Sequence, residues 1–270
     1  MEPRDGEFYV GYRRRAPAAL APFLRGASVL LLVLAAAVAA LLASGQKRFG
    51  PGEFEYGTER ELTGVIAERP VPLLVVPRPG GLSGARLRRD APAGASGASR
   101  YPLVLRGKHG AAEAVAGLDG ALARAAGTLI YRPGATMLEL APGSPARVPI
   151  GAARFGAGDP AAGAEDLGRH TLSGEIVDSK CWLGVMKPNR RLPHRACAAL
   201  CIRGGIPPAL VVDLESGGEA MFLLVDGAGG ALGERVLDVV AEPVEVDGRV
   251  ARHGDLLVLA ADPAGIRRLR

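Results

Sequence analysis

The longest uninterrupted apolar run lies near the N-terminus, where Gly26 to Gly45 reads GASVLLLVLAAAVAALLASG, twenty positions without a charge. At ~1.5 Å of rise per residue, one helix of this length spans the roughly 30 Å hydrocarbon core of a bilayer. Beyond it the period changes. Leu62-Thr63-Gly64-Val65-Ile66, Val71 to Val76 and Tyr101 to Leu105 are short runs rich in β-branched and apolar residues. Gly127 to Tyr131, a turn at Arg132-Pro133-Gly134 and Thr136 to Leu140 read as a hairpin. A second set follows: Thr171 to Val177, Ala209 to Val212, Ala220 to Val225, a long strand over Val236 to Val246, then Gly248 to Arg252, a turn at His253-Gly254, and Leu256 to Leu259. Gly94 to Ser99 is a low-complexity loop, and residues 141–169, rich in Ala, Gly and Pro without a sustained apolar period, read as a linker.

The two β-rich stretches repeat one another. Leu62-Thr63-Gly64-Val65-Ile66 corresponds to Leu172-Ser173-Gly174-Glu175-Ile176. The Gly127, Arg132, Gly134, Leu138, Leu140 hairpin corresponds to Gly248, Arg252, Gly254, Leu257, Leu259. The expected fold is therefore mainly β: one N-terminal transmembrane helix followed by two small OB-like β-barrel modules from a duplication, the second with a short Cys/His-bearing helix. The expected divisions are a cytoplasmic segment 1–25, the membrane helix 26–45, a first periplasmic β module 46–140, the linker 141–169 and a second periplasmic module 170–270.

Composition narrows the classes of function. Lys plus Arg total 33 against 28 Asp plus Glu, a net charge of +5, with 48% hydrophobic and only 4% aromatic residues. Apolar content this high and charge this balanced exclude a wholly disordered chain. The positive charge is scattered Arg without a stacking surface, so nucleic acid is not an expected partner.

Around the apolar run, Arg4, Arg13, Arg14, Arg15 and Arg25 precede it, while Lys47 and Arg48 follow it. The larger cluster belongs on the cytoplasmic side, which puts the bulk of the chain in the periplasm, anchored in a bacterial inner membrane. Ala43-Ser44-Gly45 offers small residues for cleavage of a signal peptide, yet the charged region before it is unusually long and the apolar stretch is at the upper limit for a signal. With no intramembrane charge, this single helix has no means of conducting ions or protons. Phe8-Tyr9-Val10-Gly11-Tyr12 holds three of the twelve aromatic residues. It reads either as an interfacial anchor or as a docking segment for a membrane-bound partner protein.

The chemistry concentrates in the second module. Cys181 follows its first strand, and Pro193 to Arg203 has helix formers with Pro in the first turn and Gly204-Gly205 as a stop, so that His194, Cys197 and Cys201 share one face at i, i+3 and i+7. The spacing C-x12-H-x2-C-x3-C supplies three sulfurs and an imidazole, enough for a tetrahedral zinc site, with copper(I) or an iron–sulfur centre as soft-ligand alternatives. The same thiols fit a structural disulfide, with Cys181 bridged to one helix cysteine, since Cys197 and Cys201 have nearly parallel Cβ directions one turn apart. They also fit thiol redox chemistry, with Lys180 and Arg195 placed to depress thiol pKa values. Asp178 is a candidate acceptor behind the site, Trp182 a shield or core ring, and Gly107-Lys108-His109-Gly110 a turn that could also line an anion site. His109, His170 and His253 carry no assigned role.

The stretch from Gly174 through Asp178-Ser179-Lys180-Cys181, and from His194 through Cys197, Cys201, Ile202-Arg203-Gly204-Gly205-Ile206-Pro207-Pro208, resembles a segment of bacterial membrane-anchored envelope proteins of no established activity. With the Phe8 to Tyr12 opening it covers about a third of the chain. The resemblance implies a Gram-negative envelope protein, defines no reaction and transfers no catalytic residue. Two roles follow as expectations. One is an accessory subunit of an envelope redox or electron-transfer complex; the other is a disulfide-stapled, non-catalytic interaction module, with a thiol oxidoreductase as a further alternative.

Overall fold

The computed structural model describes residues 18–45, 52–77, 98–147 and 164–269. The Phe8 to Tyr12 motif, Arg4, Arg13 to Arg15, Lys47, Arg48, residues 94–97 of the low-complexity loop and residues 148–163 of the linker lie outside the described residues. The chain divides into two compact units, Met1–Phe49 and Gly50–Arg270.

Among its described residues the first unit is one helix, α1, Ala21–Gly45, strongly apolar and with no residue buried. It begins five residues before the apolar run, because Pro22 suits a first helical turn and nothing between it and Gly26 breaks a helix. Its 25 residues correspond to about 38 Å, long enough to cross a bilayer.

The described residues of the second unit form twelve strands. The first seven are β1 (Glu53–Phe54), β2 (Arg60–Ala67), β3 (Leu73–Pro77), β4 (Ala98–Val104), β5 (Leu122–Arg132), β6 (Ala135–Leu140) and β7 (Ala146–Arg147), with a short helix α2 (Ala112–Val115) between β4 and β5. They pair in the order β5-β2-β3-β4-β6, and β6 returns to β5, closing a five-stranded barrel with β1 and β7 added on β5. The rest are β8 (Ala164–Asp178), β9 (Pro208–Asp213), β10 (Glu219–Val225), β11 (Pro243–His253) and β12 (Leu256–Arg268), which form a second closed barrel in the order β10-β12-β11-β8-β9. Counted from the first strand of each, both rings read 1-2-3-5-4, with a parallel pairing only between third and fifth strands. That is the OB arrangement.

The duplication extends to register. Val65 faces Val75 as Glu175 faces Val211, Leu103 faces Leu138 as Leu224 faces Leu259, and Gly64 pairs with Ala123 as Gly174 pairs with Val244. The glycines anticipated as equivalent occupy equivalent close approaches: Gly64 sits on the Val75 carbonyl and Gly174 on that of Val211, while Gly127 and Gly248 sit on those of Glu139 and Ala260. Within the hairpin the anticipated match slips. Arg132 is flanked across its turn by Ala135 and His253 by Leu256, so Arg132 aligns with His253 and Leu138 with Leu259. Two-residue turns close both hairpins, and the common spacing runs unbroken from Gly127 and Gly248.

Two other expectations are corrected. Val236 to Val246 is not one strand: Gly233–Val239 is a 3₁₀ helix and β11 begins at Pro243. Leu232, Val236 and Val240 recur every four residues and all three are buried against the barrel, which is a helical period. The stretch read as a linker also carries structure at both ends, in β7 and in the first six residues of β8. The polar start of β8 is held against β11 by Arg249 to Asp166 and Arg252 to Glu165, a cross-strand charge pattern without an apolar alternation.

The barrels are not separate beads. Between Asp178 and Pro208 lie 29 residues, against three between Glu68 and Pro72 at the equivalent place in the first barrel. This insertion carries a helical turn (Cys181–Val185), a 3₁₀ turn (Leu192–His194) and helix α3 (Arg195–Arg203). Its Cys181, Trp182, Leu183 and Ile206 share one apolar cluster with Val104, Ile130 and Met137 of the first barrel and with Ala209, Leu223 and Val258 of the second.

Candidate metal centre

The neck of the insertion is closed by Ser179, whose Oγ donates to the Pro207 carbonyl at 2.7 Å. Asp178, wholly buried at the end of β8, accepts the backbone N–H of Cys181 on Oδ1 at 2.8 Å, which fixes the cysteine as it enters the turn. The 3₁₀ turn brings His194 to the start of α3, and its Nε2 lies 2.9 Å from Asp178 Oδ2. Cys197 and Cys201 follow on the inner face of α3, and the helix ends where Gly204-Gly205 turns the chain back into β9.

The donors fall into two overlapping groups. Sγ atoms of Cys181, Cys197 and Cys201 all lie within 4.8 Å of one another, and so do the ligand atoms of Asp178, Cys181 and His194. All three cysteines are free, the pair Cys181 and Cys201 having Sγ atoms 4.0 Å apart. At a metal–sulfur distance of about 2.3 Å, two thiolates on one ion stand about 3.8 Å apart in a tetrahedral site and about 4.0 Å apart in a trigonal one. The Cys181 and Cys201 sulfurs thus already stand at a spacing that one ion would impose.

The cation serving the thiols comes from the other barrel. Lys108 Nζ lies 2.8 Å from Cys197 Sγ and 3.6 Å from Cys201 Sγ. Neither cation expected from sequence does this. Lys180 turns away, donating to the carbonyls of Leu105 and Gly107 at 2.8 Å each and pairing with Glu139, while Arg195 pairs with Glu242. The Gly107 to Gly110 segment is accordingly the platform carrying Lys108, and it meets the end of α3 backbone to backbone. Gly110 N–H donates to the Gly204 carbonyl at 2.8 Å, and a Cβ on Gly204 would collide with the Lys108 carbonyl.

Ionisation follows this geometry. The hydrogen bond to Cys201 pushes the Cys181 thiol well above its ordinary range, and burial and the Asp178 charge add to it. The same bond draws Cys201 below the usual thiol range, with the nearby Lys108 charge assisting against burial. Cys181 therefore holds its proton more tightly than Cys201 does. Cys197 holds Lys108 above the ordinary lysine range.

Trp182 is a buried core ring, covered by the Arg132 guanidinium 4.1 Å above its centre. A cavity of about 430 Å³ between the barrels is walled by Pro70, Leu73, Val225 and Val258, and its rim charges are already engaged, Arg249 with Asp166 and Asp226 with Arg235. Sequence spacing proposed one set of Cys181, His194, Cys197 and Cys201; the three sulfurs converge, while His194 groups with Asp178 and Cys181 and not with Cys197 and Cys201, and the presence of Lys108 depends on tertiary contacts that leave no local trace. Among known proteins, no family model matches the chain and no curated protein matches it.

Proposed function

We propose that this chain is a single-pass accessory subunit of a bacterial envelope redox or electron-transfer complex, anchored in the inner membrane by α1, whose second barrel holds a thiophilic metal ion on Cys181, Cys197 and Cys201. The observation that carries the proposal is the convergence of three sulfurs within 4.8 Å in a mostly buried site. Zinc or copper(I) fits this donor set. An iron–sulfur cluster fits it less well, because ligands on different iron atoms spread further apart than these. The bilayer and a membrane-bound partner protein are the associations that this role requires, with Cys197 on the accessible side of the site. The Arg cluster before α1 supports a periplasmic second unit.

The test is metal analysis of the full-length protein purified anaerobically in detergent, beside a Cys197→Ser variant. At least one zinc or copper per chain, with a lower content in the variant, is expected. No stoichiometric metal, or a content indifferent to the substitution, refutes ligation.

The contact of Lys108 with Cys197, beside the 4.0 Å approach of Cys181 to Cys201, favours a second reading as a thiol–disulfide exchange protein. It predicts rapid reduction of a mixed disulfide by the metal-free protein. A reduced, metal-free protein inert toward disulfides rejects it.

A further inference from the structure

Resting on the metal reading above, we propose that Cys181 bridges two ions, the thiolate-bound one and a second, zinc-class ion held by the Asp178 carboxylate and the His194 imidazole. The two donor groups share the Cys181 sulfur and no other atom. Asp178, Cys181 and His194 are 0%, 3% and 2% exposed, so all three donors of the second group face the interior. Oxygen, nitrogen and sulfur together form a borderline set that suits zinc, while three sulfurs form a softer one.

The local geometry is that of a site held open by a proton. Oδ1 of Asp178 is engaged by the Cys181 N–H at 2.8 Å, which leaves Oδ2 directed at His194 Nε2, 2.9 Å away. A cation there takes the place of the shared proton, accepting both lone pairs that now compete for it. The Cys181 thiol proton leaves as well, and its sulfur has lone pairs for two metals. A bridging role also accounts for the place of Cys181 in the chain. It lies in the neck, between the carboxylate that ends β8 and the helix carrying the other sulfurs, and no other cysteine belongs to both groups.

The experiment uses the full-length chain in detergent, reduced and anaerobic, titrated with zinc against a chromophoric chelator and separately with cobalt(II). Two ions per chain are expected, and the cobalt electron paramagnetic resonance signal gained with the first ion falls as the second binds, since a shared thiolate couples the two spins. Asp178→Asn, which keeps the acceptor for the Cys181 N–H, and His194→Gln each reduce the stoichiometry to one while retaining the thiolate-to-cobalt charge-transfer band. A wild-type stoichiometry of one, or a second cobalt that binds without loss of signal, overturns the bridge and leaves the thiolate site standing. No binding of either ion overturns both. The wild-type stoichiometry and spin coupling decide the matter even where a variant fails to fold.

Discussion

Lys180 is the most deeply buried cation of the molecule's described residues, 1% exposed, and its replacement by Met tests how the two barrels are joined. Its ammonium leaves the second barrel and ends inside the first, on Glu139 and the carbonyls of Leu105 and Gly107. Lys180→Met strands the Glu139 carboxylate, itself 9% exposed, in a low-dielectric interface. Leaving one member of a buried pair uncompensated costs about 3–5 kcal/mol. Gly107 is exposed and Leu105 half-buried, so water re-solvates those carbonyls and adds little. For a cooperative unit of the size of Gly50–Arg270, each kcal/mol moves Tm by about 2–4 °C, which gives a fall of about 6–20 °C. Lys180→Met combined with Glu139→Leu replaces the pair by apolar groups and recovers most of the loss, since an apolar pair of similar volume is often neutral. Thermal unfolding of the three proteins is the assay. A single variant within about 1 kcal/mol of wild type, or a double variant as unstable as the single, refutes the reasoning.

Three further outcomes follow from named contacts. Gly204→Ala puts a methyl group into the Lys108 carbonyl and destabilises by about 1–3 kcal/mol, with the Cys197 thiol losing its lysine contact; unchanged denaturant unfolding and unchanged thiol reactivity would argue against the backbone interlock. Lys108→Met removes a charge that helps to hold Cys201 low, so the thiolate absorbance of the metal-free protein develops at higher pH, and a titration curve superimposable on wild type rejects that assignment. Burial, with the Arg100 charge behind it, holds His253 below its ordinary value of 6.5, so the unfolded chain takes up a proton that the folded chain refuses. Stability therefore falls as pH drops below about 6.5, and His253→Gln flattens that part of the profile; an equally steep profile in the variant contradicts it.

What the sequence made legible was set by local patterning. The uncharged run after Arg25 announces a helix because length and hydropathy alone decide it. The alternating segments announce strands, and the paired Leu-x-Gly-x-Ile motifs announce the repeat because Gly64 and Gly174 are each required by a carbonyl at the same point of the barrel. Helical spacing placed Cys197 and Cys201 on one face, but His194, at the end of the 3₁₀ turn before α3, is drawn to Asp178 and does not join them. The misread places are those where tertiary burial overrides local pattern. Val236 and Val240 look β-like by composition but pack as one side of a 3₁₀ turn, and Glu165 and Asp166 look like linker but are held by cross-strand arginines. Lys108 lies 89 positions from Cys197, too distant in sequence for any periodicity to connect them.

The divergence of the two repeats explains why the site belongs to the pair and not to either barrel. In the shared register Lys108 occupies the place of Gly229 and Glu139 that of Ala260, so the first barrel carries two charges where the second has small neutral residues. The second barrel instead has the longer connection between its first two strands, which begins after Asp178 and carries Lys180 and all three cysteines. The two differences meet: the ammonium of Lys108 faces the thiols of Cys197 and Cys201, and the carboxylate of Glu139 pairs with Lys180. A buried thiolate without a neighbouring cation, or a buried lysine without a carboxylate, would each be disfavoured by several kcal/mol of desolvation. The insertion therefore fits its present conformation only against the other barrel, and the donor geometry at Cys181 depends on residues from both.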